Sequence, residues 1–246
     1  MAIYEAIEKT IKENKGEVRF GSPVEQVVVE KGKVDGVKLK DGTAIKAKVV
    51  ISTVGAHPTF CNIVPRSTPL LQEAYDELTS GKAPMSSSAY MLCIVLKPDQ
   101  DYPKQFFYHM EPGKTPVYIS FMSSRDPKYA DRNPDTRTCE ISCRFLPEDI
   151  IGLSEEAVNA KVESTREMLL GVFKLHFPEY ADSIIDSYPL TPLKMQEELG
   201  SYHGSLYGMA QVPSRLTKKW LNTKSPLPGL YLGGQVCVLF SQRHRI

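Results

Sequence analysis

Residues 47–55 read Ala-Lys-Val-Val-Ile-Ser-Thr-Val-Gly, a nearly continuous run of apolar and β-branched side chains. Such a run is typical of a strand that is buried on both faces. The next residues, Gly55-Ala56-His57-Pro58, predict a sharp exit from that strand. This stretch therefore predicts an α/β unit with a buried strand near residue 50.

The segment before this strand begins with a helical pattern and continues as short β runs separated by turns. Ile3, Ala6, Ile7 and Ile11 fall on one face and predict a helix that ends at Gly16 in a left-handed cap. Short β runs follow at residues 17–20, 24–30, 33–39 and 44–52, separated by Gly32 and Asp41-Gly42. We predict a small β-meander here, which ends in the buried strand.

The segment after Pro65 has a different pattern. A helical stretch at residues 67–80 is followed by longer β runs with short links, which predict an antiparallel sheet. The predicted strands are residues 86–96, 105–110, 117–123, 136–145 and 183–190, and the predicted helices are residues 154–177 and 192–199. The fold class is thus α/β plus α+β.

Composition excludes several classes of protein. The 246 residues carry 30 basic and 29 acidic side chains, a balance that does not predict a nucleic-acid partner. No apolar run reaches the roughly 20 residues of a membrane-spanning helix, and acids stand where a signal peptide has bases. Five dispersed cysteines favour a reducing compartment over a disulfide framework.

Local catalytic and metal-binding motifs are missing from the sequence. Its five histidines are scattered, and Cys139 and Cys143 would lie about 13 Å apart along a strand. We therefore predict no metal site. The chain contains no Gly-x-Ser-x-Gly, no P-loop and no Gly-x-Gly-x-x-Gly.

Four stretches in a fixed order carry a resemblance that extends from about residue 2 to Gln235. They are the β-meander of residues 16–55, Ser-Ser-Arg-Asp-Pro at residues 123–127 with its continuation to Pro134, Gly-Ser-Leu-Tyr-Gly at residues 204–208, and Pro-Leu-Pro-Gly-Leu-Tyr-Leu-Gly-Gly-Gln at residues 226–235. Together they resemble the amine oxidase and phytoene desaturase superfamily of flavoproteins. They are most similar to its retinol saturase and carotenoid isomerase branch.

The resemblance implies part of a two-dinucleotide-binding flavoprotein fold with an antiparallel substrate domain. Residues 1–83 would be a remnant of the FAD-binding domain, residues 84–198 the substrate domain, and residues 199–246 the truncated return to the FAD-binding domain. Two departures matter. The glycine-rich phosphate loop is missing, and residues 236–246 lack the acid and the glycines that the family has after Gln235. We expect a downstream-half fragment that binds FAD weakly and is inactive by itself.

The resemblance also implies cofactor and substrate residues, with FAD as the cofactor. Backbone atoms of Val24 would contact the adenine, and Thr53, Val54 and Gly55 would approach the flavin. Gly234 and Gln235 would approach its ribityl and phosphate side. Aromatic residues of the predicted strands, with Tyr207, would line an apolar tunnel: Tyr90, Phe106, Phe107, Tyr108, Tyr118 and Phe121. Asp126 and Arg132 are predicted to pair.

The expected function is that of an FAD-dependent oxidoreductase acting on carotenoid or retinoid double bonds by desaturation, saturation or cis–trans isomerisation. The flavin carries such chemistry, which agrees with the lack of an acid–base pair; the catalytic residues stay unassigned. The partner would be an apolar small molecule, collected through peripheral contact with a membrane. Two alternatives stay open: an amine-oxidase-like enzyme with a polar substrate, and a non-enzymatic remnant without flavin.

Overall fold

The structure is a computed structural model that describes residues 2–146, 149–150 and 152–234. The helices are α1 (Ala2–Glu13), α2 (Gln72–Thr79), α3 (Tyr129–Arg132), α4 (Glu155–His176) and α5 (Pro192–Leu199). The strands are β1 (Val24–Glu30), β2 (Lys33–Leu39), β3 (Ala44–Lys46), β4 (Val50–Ser52), β5 (Ser88–Leu96), β6 (Phe106–His109), β7 (Val117–Ser120), β8 (Arg137–Phe145), β9 (Ile184–Leu190) and β10 (Leu230–Leu232). In this described part of the chain, no helix combines the length and the apolarity that a membrane crossing needs.

The predicted meander is present as an antiparallel sheet of β1, β2 and β3, but it does not end in the strand near residue 50 as predicted, because β4 belongs to a separate two-stranded sheet with β10. Gly36 lies in the middle of β2, where a Cβ would sit 2.1 Å from the carbonyl oxygen of Ile45 on the neighbouring strand. Only glycine allows the two strands to approach so closely at this register.

Two local predictions before the meander are wrong. Residues 17–20 form no strand, and the left-handed residue after α1 is Lys15 (φ 63°) instead of Gly16. Glycine is needed at position 16 for a different reason, because a Cβ there would lie 2.6 Å from Cγ2 of Ile11. The chain turns back against its own helix at this point and continues exposed to Gly21.

The strand near residue 50 pairs in parallel with β10, with Val50 opposite Leu230 and Ser52 opposite Leu232. Its predicted burial on both faces is wrong, because the Ile51 side chain is 65% exposed. A run of β-branched residues predicts that a strand forms, whereas the burial of that strand depends on what packs on each of its faces. Among the described residues, only one face of β4 is covered.

The longer strands form a second sheet in the order β6-β7-β8-β5-β9, with antiparallel pairing throughout. Helix α4 begins at Ser154, whose side chain caps the helix by accepting a hydrogen bond from the backbone N–H of Ala157. Leu169 and Phe173 of this helix are fully buried against the sheet. The strands and the long helix thus agree with the pattern predicted from the sequence.

Side chains alternate across this second sheet, as the pleat requires. One face carries Tyr90, Leu92 and Ile94 of β5 into the core beneath α4. The opposite face leaves Cys93 and Tyr118 exposed. The predicted ion pair joins Asp126, in the segment after β7, to Arg132 at the end of α3.

Two hydrophobic clusters make up the core. The first takes its members from residues 27–85 and 209–232, and the second from residues 90–184. The chain therefore leaves the first cluster, builds the five-stranded sheet and returns. The boundaries at residues 83 and 198 stay a prediction.

Candidate functional site

A cavity of about 330 Å³ lies beside the first hydrophobic cluster, to which Ala56, Met85 and Met209 of its lining belong. Its walls come from the turn after β4, the first half of β5 with the residues before it, α5, and the chain that follows α5. The lining residues are Thr53, Val54, Gly55, Ala56, His57, Pro58, Met85, Met91, Met195, Leu199, Ser201, Tyr202, Ser205, Leu206, Gly208 and Met209.

The turn after β4 is held by buried hydroxyl groups. Ser52 Oγ and Thr59 Oγ1 are 2.7 Å apart, and Thr59 Oγ1 donates a hydrogen bond to the carbonyl of Gly55. Gly55 adopts a φ of 104°, a backbone conformation that residues other than glycine rarely adopt. These contacts fix where Thr53, Val54 and His57 face the cavity.

His57 is the titratable group of this turn. Its imidazole stacks on the ring of Tyr202, with centroids 3.4 Å apart and an angle of 13° between the planes. Burial, followed by electrostatic repulsion from the neighbouring His203, lowers the pKa of His57 to about 4. The ring is therefore neutral at neutral pH, and its Nδ1 has no hydrogen-bond partner among the described residues.

The opposite wall is the loop after α5. Gly204 has a φ of 67°, and a Cβ on it would lie 2.4 Å from Cα of Pro192. Ser88 Oγ donates a 2.6 Å hydrogen bond to the carbonyl of Gly204, which ties the loop to β5. The next residue, Ser205, is 5% exposed, and its hydroxyl has no partner within the described chain.

The remaining lining is apolar and adaptable. Met85, Met91, Met195 and Met209 all face the cavity, and Leu199 and Leu206 complete the apolar wall. Within the described part of the chain, no Asp, Glu, Lys or Arg lines it. Flexible thioethers without charge suit an apolar ligand of irregular shape.

The residues predicted to approach a cofactor lie at one edge of the parallel pair β4–β10. Thr53, Val54 and Gly55 line the cavity, and the backbone N–H of Gly233 donates to the carbonyl of Ser52. Gly234 follows directly, exposed and with a φ of 78°. Val24, at the beginning of β1, is 37% exposed and does not line the cavity, and Gln235 lies outside the described residues.

The aromatic residues predicted to line a tunnel are divided between the two faces of the five-stranded sheet. Tyr90 and Phe121 are fully buried on the face that packs on α4. On the opposite face the exposed residues are Phe106, Tyr108 and Tyr118. Phe107 packs edge-on against Phe177 in the core.

Tyr207 belongs to the cavity loop, but its side chain is 56% exposed. Its neighbours Leu206 and Gly208 line the cavity, whereas neither Tyr207 nor the strand aromatics do so. The substrate contacts predicted for these aromatics stay a prediction.

No motif or periodic pattern in the sequence marks the methionines or Ser205 as cavity residues. Met91 and Met209 are 118 positions apart (209 − 91), so no local pattern joins them. The strand exit at residues 55–58 was the available signal for His57, because side chains at strand ends commonly carry function.

The chain matches the model of one protein family and is similar in sequence to several known proteins. The model of the family described as flavin-containing amine oxidoreductase matches residues 2–237. The chain is 26% identical to a rat all-trans-retinol 13,14-reductase, over 89% of this chain and 42% of that protein. It is 24% identical to a phytoene desaturase (neurosporene-forming) from Rhodobacter capsulatus, over 95% of this chain and 47% of that protein.

A prolycopene isomerase from Daucus carota, described as chloroplastic, is 25% identical over 96% of this chain and 39% of its own length. The chain thus spans less than half the length of these relatives. Among solved structures, an oxidoreductase from Methanosarcina mazei superposes with a TM-score of 0.66 at 18% identity, over 95% of this chain and 48% of that one. At this identity the likeness shows the fold.

Proposed function

The chain belongs to the flavin-containing amine oxidoreductase family, and we propose that it forms part of an FAD-dependent oxidoreductase that acts on carotenoid or retinoid double bonds. The reaction would be desaturation, saturation or cis–trans isomerisation. The observation that carries the proposal is the uncharged, methionine-lined cavity at the end of β4. Burial of a polyene in such a cavity is favourable by about 25 cal/mol per Å² of apolar surface.

The residues at this edge fit a flavin. Gly55, Gly233 and Gly234 stand at the ends of the two parallel strands, and the Cβ position of Gly234 has open space around it. A planar ring system can approach the backbone there because no side chain intervenes. Thr53, Val54 and Gly55 would hold the ring, and contact of the adenine with the Val24 backbone is part of the same proposal.

The chain's own residues position the substrate and exclude water. The methionines supply a deformable apolar wall, and neutral His57 adds no charge to it. When bound, the flavin supplies the hydride donor or acceptor. A lipid-soluble substrate would also require peripheral contact with a membrane.

A polar amine is the alternative substrate. A protonated amine needs a carboxylate or another counter-charge when it leaves water. The described cavity lining has no such group. The apolar substrate is therefore the better supported of the two.

The test uses the polypeptide encoded by the complete reading frame. We expect bound flavin, and in anaerobic stopped-flow mixing with a retinoid or carotene we expect flavin redox change together with a shift of the polyene spectrum, or isomerised product. Benzylamine serves as the polar control. Turnover of benzylamine without turnover of any polyene would contradict the proposal.

The second alternative, a remnant without flavin, is tested on the nucleotide sequence. An in-frame strand followed by Gly-x-Gly-x-x-Gly upstream of the Met1 codon would support the enzyme. A stop codon in that frame, with no bound flavin in the purified protein, would support the remnant.

A further inference from the structure

One carboxyl group of the five-stranded sheet has no partner. Glu140 lies in the middle of β8, and its neighbours Cys139 and Ile141 are fully buried beneath α4, so its side chain projects from the opposite face of the sheet. The side chain is partly buried there, yet within the described chain no ion pair or hydrogen bond reaches the carboxylate. Burial raises the pKa of this carboxyl group, with no nearby charge to offset it. Such groups are more common at functional sites than elsewhere.

The groups around Glu140 leave its charge uncompensated. Cys93 of β5 and Ser120 of β7 lie directly opposite it in the strand register. Burial, followed by the negative charge of Glu140, raises the pKa of the Cys93 thiol. The guanidinium of Arg125, in the segment after β7, is stacked over an aromatic ring of β6. Arg144 shares the strand with Glu140 but lies four residues further on, about 13 Å away along β8.

Glu140 adjoins the cavity along the face of the sheet. Met91, which lines the cavity, precedes Cys93 by two residues in β5 and therefore projects from the same face. Ser142 lies opposite Met91, as Glu140 lies opposite Cys93, so Glu140 is one cross-strand pair, roughly 7 Å, from the cavity wall. Cys93 is exposed, so a ligand can pass along this step. A chain-like ligand that extends from the cavity past Met91 would meet the Glu140 carboxyl group.

From this placement we propose that Glu140 is the catalytic residue that gives a proton to, or takes one from, the reacting double bond of the polyene. The proposal rests on the proposed function and assigns one residue of this chain to it. Saturation of a C=C bond requires a proton as well as a hydride, and the described lining of the cavity has no Asp, Glu, Lys or Arg that could supply it.

The proton step balances as follows. In saturation, one carbon of the double bond gains a hydride and the adjacent carbon gains the proton of the Glu140 carboxyl group. The C=C π bond and the O–H bond break, two C–H bonds form, and the carboxylate regains a proton from water. The hydride comes from reduced flavin, which is oxidised. In desaturation the carboxylate accepts the proton and the hydride leaves to oxidised flavin. Burial suits Glu140 to this role, because it keeps the proton bound at a higher pH than an exposed glutamate does.

The first test needs neither flavin nor substrate and uses the 246-residue chain. A glutamate in the unfolded chain has a pKa of about 4.3. As pH rises above this value, the unfolded state releases the proton first, so the wild-type chain loses stability. Glu140→Gln has no proton to release at this position. Its urea midpoint should therefore move above that of the wild type by an amount that grows between about pH 4 and 7.

Glu30→Gln is the matched control. Glu30 also lies in a strand, but its side chain is exposed, so the difference between this variant and the wild type should stay constant with pH. A constant difference for Glu140→Gln as well would show that the Glu140 carboxyl titrates like an exposed one, and this would overturn the proposal.

The second test uses the polypeptide encoded by the complete reading frame. The substrate is whichever of all-trans-retinol, phytoene and prolycopene the wild-type protein converts fastest. In anaerobic single-turnover mixing, Glu140→Gln should lower the rate by about 10²–10⁴-fold. Bound flavin, measured by absorbance, should stay at the wild-type level. Glu140→Asp, which keeps a carboxyl group, should recover part of the rate, and Glu30→Gln should react like the wild type.

Three outcomes of the second test would overturn the proposal. A Glu140→Gln rate within twofold of the wild-type rate would overturn the proton role and leave the proposed function intact. Loss of bound flavin in Glu140→Gln, with the rate per bound flavin unchanged, would assign Glu140 a structural role instead. Absence of turnover of all three polyenes by the wild-type protein would overturn this proposal and the proposed function together.

Discussion

The imidazole of His57 lies face to face with the phenol ring of Tyr202, with 3.4 Å between their centroids. The contact joins the turn after β4 to the loop after α5, two segments that are far apart in the sequence. It thereby closes the cavity on one side. Substitutions in the two segments that meet here should change the stability of the protein in ways that can be measured.

We expect Ser205→Ala to stabilise the protein. The variant removes a buried hydroxyl that has no partner, which relieves a cost of about 1 kcal/mol. The melting temperature should rise by roughly 2–4 °C for a chain of this size. Ser88→Ala is the control, because its equally buried hydroxyl is bonded to Gly204 and its loss should lower the melting temperature. A decrease for both variants would show that Ser205 is satisfied in solution.

Gly204→Ala should destabilise the chain by more than about 3 kcal/mol. The new Cβ would lie 2.4 Å from backbone atoms of Pro192, in addition to the strain of a φ of 67°. Gly208→Ala has a similar φ of 64° but open space around the Cβ, so it should cost only about 1–2 kcal/mol. Urea denaturation of the two variants compares them directly, and equal losses would contradict the packing at Pro192.

His57 should make stability depend on pH between about 6.5 and 4. Burial lowers its pKa to about 4 in the folded chain, whereas the unfolded chain retains a value of about 6.5. As pH falls through this window, the unfolded state binds the proton first, so stability is lost. His57→Phe should lose less stability over the same window in urea titrations. Parallel pH profiles for the two proteins would show that His57 titrates normally.

A charge placed in the cavity should weaken the binding of an apolar ligand. Met91→Glu introduces a carboxylate into a lining without a counter-charge, and retinol affinity should fall at least tenfold. Met110→Glu is the control, since Met110 is 65% exposed and does not line the cavity. Fluorescence titration of both variants measures the effect. Loss of binding in Met110→Glu alone would place the ligand elsewhere.

The 246-residue chain by itself should bind FAD weakly. Its sequence has no Gly-x-Gly-x-x-Gly, the motif whose backbone N–H groups hold a diphosphate at a helix N-terminus. Thr53, Val54, Gly55 and Gly234 carry no charge that could replace it. Quenching of flavin fluorescence provides the measurement. Stoichiometric binding at low micromolar FAD would contradict the expectation.

Sequence patterns predicted the secondary structure best where the periodicity is long. Strands β5 and β8 each extend over nine residues with regular alternation, and α4 has both a capping serine and an apolar stripe. The stretch of residues 17–20 is too short for such a pattern, and its one aliphatic residue, Val18, lies between two charged residues and sets no period.

The site was harder to predict because burial and proximity depend on tertiary contacts. Alternation shows that Tyr90 and Tyr118 point to defined faces of their strands, but it does not show which face receives α4. The exposure of Ile51 could not be predicted for the same reason, because the local sequence does not show what packs on each face of a strand. Of the cavity methionines, Met91 lies within β5 and Met195 within α5, whereas Met85 and Met209 lie outside the named helices and strands, so no single period joins the four.

The hydrogen bond from Ser88 to Gly204 spans 116 positions of the chain, and this separation bears on the order of folding. Closing so long a loop has a larger entropic cost than closing the hairpin of β6 and β7. During refolding we expect the hairpins to form first and the cavity wall last. A refolding chain should therefore regain its far-ultraviolet circular dichroism before it regains the capacity to bind a polyene. We expect the same late-formed wall to open at a lower free-energy cost than the five-stranded sheet, so that a ligand can enter there while the sheet stays intact.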